Sequence, residues 1–72
     1  MLGIEEIKNF LKPIDGDVRF DKVLNLYCFY IEDYVAYMLP EQFDNLEMRQ
    51  LENFLLTNII TKQYLKPYIT LN

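Results

Sequence analysis

A chain without histidine has few ways to do chemistry, and this one lacks the imidazoles that serve most general bases and zinc sites. Its single thiol, Cys28, stands among Tyr27, Phe29 and Tyr30 with no histidine to activate it. It therefore reads as a buried core thiol rather than a nucleophile. Adjacent carboxylates occur at Glu5-Glu6 and Glu32-Asp33. General acid–base work needs opposed groups in a pocket, whereas sequence neighbours diverge, so these pairs read as solvated faces. Asp15-Gly16-Asp17 is a fragment of a calcium loop without the later acidic ligands or the closing glutamate, and reads as a turn. Gly3 and Gly16, the two glycines, cannot build a phosphate-cradling loop. The expectation is a protein that is not an enzyme, with no catalytic residues, no cofactor and no metal.

What remains is recognition of another macromolecule. Eleven acids against seven bases give a net charge of −4 and a pI near 4.5, which argues against a groove that follows phosphates. Nucleic acid is not expected as a ligand. All eleven acids precede residue 53, leaving a C-terminal arm that is apolar and carries only Lys62 and Lys66. The longest apolar run, Leu26 to Ile31, is far too short for a membrane span, and the acids at Glu5 and Glu6 do not suit a secretory signal. No membrane association is expected, and the lone cysteine suits a cytoplasmic setting. Ile, Asn, Lys, Tyr and Phe supply 29 residues while alanine appears once, a bias that fits AT-rich coding sequence in a bacterium or phage.

The elements that would position such a surface belong to one domain over residues 1–72, a length at which stability is marginal. Ile4, Ile7 and Leu11 share a face, so a helix is expected over about 4–12, stopped by Pro13 and the Asp15-Gly16 turn. Asp17 would cap the next helix. From Val18 to Leu39 two periods compete. Val23, Tyr27, Phe29, Tyr30, Ile31, Tyr34 and Val35 favour strands. At about 100° per residue, however, Asp21, Lys22, Asn25, Glu32 and Asp33 gather within an arc of roughly 120°, opposite Phe20, Leu24, Tyr27, Ile31 and Met38.

A strand over 23–31 would be apolar on both faces and would need cover on two sides, which so short a chain can hardly provide. No Asn-Gly or Asp-Gly marks a tight turn. The period thus predicts a long helix over 18–39. Asp44 followed by Glu47 marks a capping-box start for a third helix over 45–66, closed by Pro67. The expected fold is all-α, a small three-helix domain. The alternative is α+β, with a β-hairpin at about 18–39, turning at Glu32-Asp33, between two helices.

In the third helix Met48, Leu51, Leu55 and Ile59 form a core stripe with Phe54 beside it, which leaves Leu56, Ile60 and Tyr64 on a spare face next to the apolar tail Tyr68, Ile69 and Leu71. Those six residues are the expected partner-binding surface, since soluble monomers avoid large exposed patches unless they are used. Tyr27, Tyr30, Tyr34 and Tyr37 either roof the core or supply an interface, for which tyrosine is well suited. The functional expectation is a small protein-binding domain that modulates another protein, for instance as a phage or mobile-element inhibitor of a host factor. The alternative is a structural or regulatory homodimer, and a weaker one an acidic nucleic-acid mimic.

Overall fold

In a computed structural model the structure describes residues 1–60, the side chains of Ile59 and Ile60 excepted. Helix α1 spans Ile4–Leu11 and runs through a 3₁₀ turn, Lys12–Ile14, into strand β1, Gly16–Asp21. Strands β2, Leu26–Ile31, and β3, Tyr34–Met38, complete a three-stranded antiparallel meander in the order β1-β2-β3. Two further helices follow, α2 over Pro40–Asp44 and α3 over Met48–Leu55, and α3 continues into a π turn at Leu56–Ile60.

The fold is therefore α+β, and the all-α expectation is overturned. The single helix over 18–39 does not form, and three strands take its place. The α+β alternative is supported and its turn is found, since Ile31 pairs with Tyr34 and leaves Glu32 and Asp33 as a two-residue connection. The segment nevertheless holds three strands and a second turn at 22–25 rather than one hairpin. Asp17 caps no helix, because it lies in β1 opposite Tyr30. The third helix starts at Met48 rather than about Asn45, and its true cap is Glu47, whose N–H donates to Gln50 Oε1 at 2.9 Å. Asp44 instead ends α2, which Pro40 opens with its φ preset for a first helical turn. Residues 61–66 of the expected helix lie outside the described residues.

The turns succeed without glycine at the positions that favour it. Between β1 and β2, Asp21 Oδ1 accepts the N–H groups of Val23 (2.9 Å) and Leu24 (3.0 Å), and Asn25 takes the left-handed conformation at φ 57°. Glu32 does the same at φ 54° in the second turn, and Asp15 at φ 55° where the 3₁₀ turn meets β1. Asn and Asp visit this region with little strain, whereas Glu must be held there by the pairing on both sides.

The helices of the described residues pack on one face of the sheet. Ile7, Leu11, Val18, Phe29 and Leu51 are wholly buried, and Ile31, Ala36, Met38, Phe43 and Leu46 join them in one cluster. By register Val18, Phe29 and Ala36 are direct neighbours across the strands, so this is the inward face. Tyr27 stacks flat on Phe43 of α2, with centroids 3.6 Å apart, and Phe29 meets Phe54 of α3 at 5.0 Å. Met48 of the expected stripe is exposed, Leu51 is buried and Leu55 is half-buried.

Candidate functional site

Strand alternation divides the aromatic run of β2 and β3 into two sets. Tyr27 and Tyr34 point inward and pack against the core, while Tyr30 and Tyr37 point to the opposite face with Leu26, Cys28 and Val35. No helix of the described residues lies over that outer face, because every helical core residue belongs to the inward cluster. An antiparallel sheet with one wet side ordinarily shows polar residues there. Here the wet side carries two tyrosines, a leucine, a valine and the thiol.

The outer face has three rows across the strands. Arg19, Cys28 and Tyr37 form the middle row, Asp17, Tyr30 and Val35 one outer row, and Asp21 pairs with Leu26 in the other. Beyond Met38 the alternation carries Leu39, itself exposed, to the end of that last row. Among the outward residues of the strands, charge is confined to β1. The Arg19 guanidinium lies 4.6 Å over the Tyr30 ring and 3.9 Å from an Asp17 carboxylate oxygen, whose other oxygen is 3.9 Å from Lys8. Burial of the phenol raises Tyr30 above its ordinary pKa. The neighbouring Cys28, through a hydrogen bond and its charge, and Asp21 push the same way, against Arg19. Its hydroxyl is therefore protonated throughout the neutral range and serves as a hydrogen-bonding group.

Cys28 is 2% exposed yet does not belong to the core cluster. The expected burial is found, with the thiol enclosed at the centre of the outer face rather than within the inward cluster. Tyr37, its cross-strand neighbour, is 53% exposed.

Of the six residues expected to bind a partner, Leu56 begins the π turn and is 53% exposed. Ile60 ends that turn, and its side chain is not among those described. Tyr64, Tyr68, Ile69 and Leu71 lie outside the described residues.

A groove of about 450 Å³ opens between the loop after α2 and the end of α3, floored by Met38, Leu46 and Phe54 and walled by five carboxamides and Thr57. Three of those amides are engaged at helix ends: Gln50 accepts from the Glu47 N–H, and Asn45 and Asn58 donate to the carbonyls of Glu41 and Phe54. The lining holds no carboxylate, thiol or amine. Among the described residues no three potential ligands gather as a metal site, and no helix is long and apolar enough to cross a membrane. No family model, curated protein or solved structure matches the chain.

Proposed function

We propose that this is a non-catalytic protein-binding domain whose contact surface is the outer face of the sheet. One observation carries the reading: β2 is apolar on both sides, and the helices of the described residues cover only the inward one. The half-exposed Tyr37, the half-buried Tyr30 and Leu26, and the rim pair Asp17 and Arg19 form an apolar centre with a charged edge. That is the composition of interface cores, in which tyrosine is enriched and charge is pushed to the rim. The hairpin tip extends the patch at one end, with Val23 94% exposed and Leu24 beside it half out in water. The tyrosine-based interface, held in reserve at the level of sequence, thus has more support than the C-terminal stripe.

The test is photo-crosslinking in the cells that make the protein. A photoreactive residue at position 37 should give a protein adduct on irradiation, and one at position 9, on the solvent side of α1, should give none. If position 37 yields no adduct under conditions where the label is incorporated and the chain is folded, the outer face is not the contact surface.

A further inference from the structure

We infer that the outer face is built to pair with a second copy of this chain, face to face, about a two-fold axis that runs parallel to β2 through Cys28. The inference rests on the contact surface proposed above and names its partner.

The argument comes from the order of groups across the middle row. Arg19 on β1 and Tyr37 on β3 flank Cys28 on opposite sides. A two-fold along β2 exchanges the outer strands, so each β1 lies over the other copy's β3. Each guanidinium then meets the other copy's Tyr37 ring. One side of that guanidinium already rests on Tyr30 at 4.6 Å, and the Arg19 side chain is 66% exposed, which leaves its second side for the partner. A cation held between two rings gains from both quadrupoles once water is excluded.

The same operation carries Asp17 over the other copy's Val35 and Asp21 over the position of Leu39, so no strand carboxylate faces another, while the two Glu32-Asp33 turns come to the same end of the pair. The perpendicular choice, a two-fold across the strands, would set Arg19 against Arg19 and Asp17 against Asp21. Like charges directly opposed across an interface are repulsive, so the charges on the strands favour the first axis. Sheets stack face to face about 10 Å apart and nearly aligned, a geometry compatible with these pairings.

Area sets the strength. Strands of six residues at ~3.4 Å per residue, three abreast at ~4.8 Å, offer a footprint of about 300 Å² before the rim is counted. Stable dimers bury about 800 Å² per partner, so this contact is reversible and its dissociation constant lies in the micromolar range or above.

Sedimentation equilibrium of the full chain from about 1 µM to about 1 mM should show a monomer–dimer equilibrium. Arg19→Glu alone and Tyr37→Lys alone should each weaken it at least about tenfold, by placing an acid on a ring in one case and two cations together in the other. Mixing the two variants should restore a dimer, because one contact then joins Glu to Lys and the other keeps Arg on Tyr. Both positions are exposed, so each variant should keep a cooperative melt at concentrations where the wild type is monomeric. Backbone amide shifts on dilution should, independently of any variant, be confined to outward-facing residues of β1 to β3. A chain that stays monomeric at 1 mM, a dimer indifferent to both substitutions, or a mixture no tighter than its components overturns the inference. A crosslinked adduct from position 37 to a different protein also overturns it while leaving the contact surface in place, whereas absence of any adduct removes the surface itself.

Discussion

Gly16 is the point where α1 presses on the sheet, and adding one methyl group there tests the packing directly. A Cβ at this position would stand 3.1 Å from Ile31 Cγ1, 3.2 Å from Leu11 Cβ and 3.2 Å from the Tyr30 carbonyl oxygen. The first two neighbours belong to fully or nearly fully buried side chains, and the third is backbone in the central strand, so none can rotate away. Overpacking of this kind costs about 1–3 kcal/mol. Replacing glycine within a strand returns about 0.5–1 kcal/mol through the unfolded state, so Gly16→Ala should lose a net ~1 kcal/mol. In a domain of this size that lowers the melting temperature by about 4–8 °C. Gly3→Ala isolates the clash by its absence, since its Cβ would meet only Glu6 Oε1 at an ordinary 3.7 Å, and any loss there reflects the N-cap of α1, where glycine is preferred to alanine. Urea melts with unchanged slope would confirm that native stability moved. If Gly16→Ala melts at or above the wild type, α1 does not bear on β1 as closely as described, and the register Gly16 to Ile31 must be questioned.

Three further outcomes are expected. Asp21→Ala frees the N–H groups of Val23 and Leu24 and should cost about 1 kcal/mol, measured by urea denaturation; no loss would show that the first turn holds itself. Native Cys28 should resist a thiol reagent and react on denaturation, and native labelling at the rate of a free thiol would contradict its burial. Tyr30 should ionise above the ordinary tyrosine value of 10.0, seen as the ultraviolet titration step missing from Tyr30→Phe. Because the fold raises this acid, its stabilising contribution is complete below that value and is lost as pH climbs through the folded one, so the wild type should weaken more than Tyr30→Phe in that alkaline range.

The sequence displays the inward core more clearly than the architecture. Ile7, Leu11, Ile31 and Leu51 are legible as apolar positions under either period, and all are buried. What misleads is the run from Leu26 to Ile31, where every residue is apolar or aromatic and neither a period of two nor one of 3.6 stands out. Turn chemistry could not break the tie, because Asn25 and Glu32 hold left-handed positions where glycine is the usual signal. The decisive premise against strands was that both faces need cover. Among the described residues the strand has helical cover on one face only, so the premise that misleads about the fold is what locates the candidate surface. Asp21 and Asn25, spaced as an aspartate turn with a left-handed exit, were the available signal for the first hairpin. The C-terminal stripe, by contrast, depends on a continuous helix through residue 66, and α3 gives way to a π turn at Leu56.

The meander also imposes an order in time. Its strands are joined by four residues and by two, so each pairs with its neighbour in the chain at little cost in loop closure. On a ribosome the whole of β1 to β3 emerges before Phe43 and Leu51, the residues that seal the inward side. During that interval the nascent sheet presents two greasy surfaces to its surroundings rather than one, and for about one to three seconds at ordinary synthesis rates of about 5–20 residues per second it is adhesive on both. The alternation of Asp17, Arg19 and Asp21 along β1 then acts as a guard rail, because a charged rim discourages a neighbouring nascent chain from adding a strand there before the helices arrive.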